Sequence, residues 1–142
     1  MTSPTIFNNI VWSGLAEGDT AYYYGLYGFN DREERFTPIS IIPKNHQLLD
    51  SVPRTERAGY FLRWFSNGYY NVQPLRGDTL QVNDLRFGLL GDSLTGKNYV
   101  FPFLLFKNEK GEWDIAHHNR RPGDEEENKR AFGDLWERIK GE

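Results

Sequence analysis

At 142 residues and 16.6 kDa the chain is the size of one domain, spanning 1–142. A net charge of -3 with pI near 5.6 offers no basic footprint for nucleic acid, and the lack of cysteine removes disulfide, thiolate and Cys-based zinc chemistry. Aromatic residues make up 15% of the chain against 38% hydrophobic in all, so about two fifths of the apolar set are large rings and the core must be built from them.

From the start, Ile6 to Leu15 and Thr20 to Phe29 are rich in β-branched and aromatic residues, and Glu17-Gly18-Asp19 between them supplies turn chemistry. That pattern predicts an opening hairpin. A charged turn at Asn30-Asp31-Arg32-Glu33-Glu34 leads into a third strand, Phe36 to Ile42, which Pro38 and Pro43 confine to an edge or cut short. From Pro53 the period changes: Ala58, Phe61, Leu62 and Phe65 recur at helical spacing and Asn67-Gly68 supplies a left-handed stop, predicting a helix over 54–66. A second hairpin follows, Tyr69 to Leu75 and Thr79 to Leu85 around Arg76-Gly77-Asp78. Beyond the loop 91–98, Tyr99 to Phe106 reads as a buried strand turned back by 107–112 into Trp113 to His117. Ala131, Phe132, Leu135, Trp136 and Ile139 form one stripe, predicting a C-terminal helix over 125–140. The fold class expected is therefore α+β: a mostly antiparallel sheet of six or seven strands, with the central and C-terminal helices packed on it.

The apolar run at 99–106 is far short of the ~20 residues of a membrane helix, and Met1-Thr2-Ser3-Pro4-Thr5 lacks the features of a signal peptide.

Catalytic constellations are hard to find. His117 and His118 point to opposite sides of a strand and have no partner at ligand spacing, and His46 is isolated. The carboxylates fall in runs such as Glu33-Glu34 and Asp124 to Glu127, which solvate a turn and a helix start. Ser66 and Ser93 lack an elbow motif. Gly91 to Lys97 mimics a phosphate-binding loop, but Asn98 stands where the magnesium-binding hydroxyl belongs, and a strand follows where the motif needs a helix. No catalytic or metal residue is assigned.

Two clusters remain as a candidate binding region. Arg63, Trp64 and Tyr70 lie where the central helix passes into a strand, and Asp84 and Arg86 sit at i and i+2 on one strand face. They form either an ion pair that orients the helix, with Arg63 taking part, or the polar rim of an aromatic-lined pocket.

These clusters, with the opening Pro4-Thr5-x-Phe7-Asn8-Asn9-x-Val11-Trp12 and the tyrosine-rich strand holding Gly25 and Tyr27, carry a resemblance to a known family. The blocks Trp64-Phe65-Ser66-x-Gly68-Tyr69-Tyr70 and Asp84-Leu85-Arg86-Phe87-Gly88 are its most specific parts, and the likeness covers 4–106. The chain resembles the C-terminal soluble portion of a bacterial family of inner-membrane-associated, membrane-bound metal-dependent hydrolases. The resemblance implies a non-catalytic extramembrane domain with a packing, regulatory or ligand-binding role, and an added start at Met1. Its partner would be the membrane-embedded N-terminal portion of the same protein, and a small-molecule ligand is a further partner expected. The divalent metal and its His- and Asp-containing motifs belong to that membrane portion; no cofactor is expected in this domain. The alternative is a free-standing module that stacks rings among Trp12, Tyr22, Tyr24, Trp64 and Tyr70 on a glycan or other small molecule.

Overall fold

A computed structural model describes residues 1–4, 10–37, 39–89 and 99–117. The first sheet is built from β1 (Thr2–Pro4), β2 (Val11–Glu17), β3 (Ala21–Gly28) and β4 (Ile39–Pro43). A 3-10 turn (His46–Leu49) and a helix, α1 (Arg57–Ser66), lead to the second sheet. That sheet comprises β5 (Tyr70–Pro74), β6 (Leu80–Leu89), β7 (Tyr99–Lys107) and β8 (Trp113–His117). Each sheet runs in chain order, and every pairing within it is antiparallel.

This architecture corrects the α+β expectation of one sheet of six or seven strands. The fold is β-rich, with two four-stranded sheets and, among the described residues, one α-helix. The physical reason lies at the junction. Pro43 ends β4 without an N–H to offer, and Asn45 at φ 51 turns the chain away in the left-handed region, so the ladder does not carry on into β5. Val72 N–H donates to Lys44 O at 3.0 Å, and Asn45 Nδ2 donates to Val72 O at 3.0 Å, joining the two sheets there. The predicted C-terminal helix over 125–140 and the loop 91–98 lie outside the described residues.

Two cores follow from the alternation of the strands. Val11, Leu15, Tyr22, Tyr24, Leu26 and Ile42 of the first sheet pack against Leu85, Leu89 and Tyr99 of the second. On the other side of the second sheet, Ala58 and Leu62 of α1 pack with Leu49, Val52, Tyr70, Val72, Val82, Phe103 and Leu105. The resulting layers are first sheet, second sheet, helix. Each fully buried aliphatic side chain contributes roughly 1.5–3 kcal/mol, so both cores are needed to hold the layers.

Helix α1 begins later than position 54. Glu56 is its N-cap, and its carboxylate is turned away from the helix: Oε2 accepts the Trp113 N–H of β8 at 3.0 Å. Gly59 lets the preceding loop close on the helix, since a Cβ there would come within 2.5 Å of Pro53 O and 2.9 Å of Arg63 Nη1. Asn67 at φ 49 and Gly68 at φ 84 stop the helix in the left-handed region. No helix among the described residues is long and apolar enough to cross a membrane.

Candidate functional site at the end of the helix

Asp84 and Arg86 add a polar tie between the end of α1 and the second sheet, beside the apolar packing. Asp84 lies opposite Tyr70 on β5 and Phe101 on β7, and only 1% of it is exposed. Beyond it the β6–β7 register is irregular until Leu89 meets Tyr99. In that bulge the backbone N–H of Arg86 donates to Asp84 Oδ1 at 2.9 Å. The guanidinium curls back on the same carboxylate, with Nη2 2.7 Å from Oδ2 and Nε 3.1 Å from Oδ1. Nη2 also donates to Phe65 O, in the last turn of α1. The Asp84 hydrogen bond raises the Arg86 pKa above its ordinary value, against burial, which lowers it. The guanidinium lies 5.4 Å from the ring centroids of both Phe65 and Phe87.

Of the remaining predicted site residues, Tyr70 stands opposite Asp84 in the ladder, whereas Arg63 and Trp64 are engaged elsewhere. Arg63 donates to three carbonyls, Gly59 O at 3.1 Å, Leu49 O at 3.2 Å and Val52 O at 3.3 Å, which fixes the loop before α1. Its expected share in the Asp84 ion pair is therefore replaced by backbone contacts. Trp64 points outward and is 67% exposed. Tyr70 is buried and stacks on His46, ring centroids 4.0 Å apart, while His46 Nε2 is 2.7 Å from Tyr70 O. Burial raises the Tyr70 pKa, and the positive charges of Arg63 and Arg54 pull it back down.

Three of the rings considered for ligand stacking, Tyr22, Tyr24 and Tyr70, belong to the cores. Tyr22 donates its hydroxyl to Gly68 O at 2.7 Å, tying the first sheet to the turn after α1, and the Tyr24 hydroxyl accepts the Leu89 N–H at 3.3 Å, tying it to the second sheet. Trp12 stands on the outer side of the first sheet against Phe29, far in the layer order from Trp64 on α1.

A polar row on the second sheet belongs to no recognised motif. On the face opposite α1, Asn83 Nδ2 donates to Asn71 Oδ1 at 2.9 Å and Gln81 Nε2 donates to Asn83 Oδ1 at 2.8 Å. Asn71 Nδ2 and Gln73 Nε2 donate to the Tyr99 hydroxyl at 3.2 and 3.4 Å. All but Gln73 are buried. Burial raises the Tyr99 pKa, while the Asn71 bond lowers it. The signal was present in the sequence as two mirrored triplets, Asn71-Val72-Gln73 and Gln81-Val82-Asn83, which an antiparallel hairpin sets Asn on Asn and Gln on Gln.

Among the described residues no three His, Asp or Glu side chains come together to hold a metal ion, and the His46 ring is engaged as above. His117 closes β8; its side chain, His118 and Ser93 lie outside the described residues. No family model, curated protein or solved structure matches this chain.

Proposed function

We propose that this chain is a non-catalytic extramembrane domain of a membrane-bound metal-dependent hydrolase, packing on or regulating a membrane-embedded portion of the same protein. The resemblance of the two sequence blocks motivates the reading, and one observation supports it. Polar groups in and beside those blocks are engaged in holding the domain together. Asp84 binds Arg86, Arg86 binds Phe65 O, Arg63 binds three carbonyls, and the Ser66 hydroxyl donates to Leu62 O at 2.7 Å. Groups committed in this way serve architecture rather than bond-breaking chemistry. The divalent metal and the chemistry it supplies would belong to the membrane portion.

The upstream coding sequence tests the proposal. Several apolar segments of about 20 residues bearing His and Asp are expected in frame before this domain. An upstream frame without any apolar segment overturns the reading.

A further inference from the structure

The outer face of α1 is the surface that the internal bonding leaves over. Arg57, Tyr60 and Trp64 fall at i, i+3 and i+7, opposite the buried Ala58 and Leu62. Tyr60 is 65% exposed and Trp64 is 67% exposed, the two most exposed large rings of the described residues. Trp64 is not isolated. Phe61 lies 6.5 Å from Trp64 and 5.4 Å from Phe65, Arg86 bridges Phe65 and Phe87, and Phe87 meets Phe101 at 4.6 Å. An aromatic strip therefore runs along the helix and onto the bulge of β6.

The charge along this strip opposes that of the whole molecule. Between Arg54 and Ser66 the sequence has three arginines and a single carboxylate, Glu56, in a chain of net charge -3. Glu56 is engaged with the Trp113 N–H, and Arg63 with carbonyls. Arg54 and Arg57 are exposed and have no ion-pair partner among the described residues. Arg57 moreover opens the helix, where the macrodipole disfavours a cation, so its charge does not serve helix stability. Lys107, 5.4 Å from the Trp113 ring, adds a further cation on the strand next to β8.

Exposed Trp and Tyr flanked by unpaired arginines are the side chains that settle at the headgroup level of a bilayer, where rings meet the acyl boundary and guanidinium groups meet phosphate. We infer that the outer face of α1 lies flat on an anionic phospholipid surface, with Tyr60 and Trp64 in the interface and Arg57 on a lipid phosphate. This inference rests on the reading that the domain works beside a membrane. It adds which face of the domain meets the lipid.

Sedimentation with vesicles tests it, using phosphatidylcholine alone and phosphatidylcholine with about one third phosphatidylglycerol. The whole chain is expected to pellet with the anionic vesicles only, with a blue shift of tryptophan emission that falls as salt rises. Losing the cation of the helix face in Arg57→Gln should weaken binding roughly fivefold. Trp64→Ala should weaken it about tenfold, whereas Trp64→Phe keeps binding within about threefold and loses the blue shift. All these residues are exposed, and an unchanged unfolding midpoint confirms that each variant is folded. No pelleting with anionic vesicles overturns the inference, as does binding indifferent to these substitutions. Equal binding to DNA or polyglutamate in place of vesicles also overturns it, by showing a general polyanion surface or a protein surface. Absence of vesicle binding beside an upstream frame full of apolar segments removes this inference alone; an upstream frame lacking them removes the functional reading.

Discussion

Asn71 and Asn83 lie directly opposite each other on β5 and β6, and their side-chain amides are joined by a 2.9 Å hydrogen bond in a site that is almost closed to solvent. The pair pins the register of the hairpin, because a one-residue slip of either strand would turn its own amides toward the helix-side core and its valine to the other face, leaving the partner strand's amides unmatched.

Replacing one amide strands the other. Asn83→Leu is expected to lower stability by about 2–3 kcal/mol, since the Asn71 Oδ1 and the Gln81 Nε2 each lose a buried partner. The Asn71→Leu/Asn83→Leu double variant should cost less than the sum of the singles, with a coupling of about 1 kcal/mol in a urea-denaturation cycle. Strict additivity would show that the bond is energetically silent.

The Asp84–Arg86 pair should respond asymmetrically. The Arg86 side chain is 27% exposed and the Asp84 side chain 1% exposed. Arg86→Met leaves a buried carboxylate unpaired and frees Phe65 O, at a cost of about 3 kcal/mol. Asp84→Asn leaves a guanidinium that can still reach water and Phe65 O, and should cost about half as much. Equal losses in chemical denaturation would contradict this account of which partner is desolvated.

The Tyr22 hydroxyl makes stability sensitive to alkali. Burial, and after it the negative charge of Glu17, pushes its pKa up to about 12 from the ordinary 10.0. The folded state therefore keeps a proton that the unfolded state releases between those values. The stabilisation is complete below pH 10, falls as pH rises from 10 to 12, and amounts to on the order of 2 kcal/mol. Tyr22→Phe should flatten this decline in thermal unfolding measured across that range, while lowering stability at neutral pH through the lost bond to Gly68 O.

Much of the local structure was legible in the sequence. The helical spacing of Ala58, Leu62 and Phe65 and the stop at Asn67-Gly68 locate α1, and the two-residue spacing of Asp84 and Arg86 places them on one side of β6. The mirrored Asn-Val-Gln and Gln-Val-Asn triplets carried the amide row as well, although only the turn between them sets the register that makes the mirror meaningful. The helix starts later than the spacing predicts, at Arg57, and the carboxylate of its N-cap Glu56 makes no capping bond but holds Trp113, 57 positions away along the chain.

By itself the sequence determined most of the strands and the central helix, though not β1 or the start of β2 at Val11, together with the aromatic character of the core and the scarcity of catalytic motifs. These follow from periodicity and residue chemistry, which act over a few residues. Only the tertiary structure decided that the strands form two sheets, that Arg63 binds carbonyls while Arg86 takes Asp84, and that Tyr22, Tyr24 and Tyr70 are core while Tyr60 and Trp64 face outward. Pairing and burial depend on which distant segments exclude water from one another. The strands divide into two layers that meet beside Pro43–Asn45, with α1 packed on the second and its aromatic face left open.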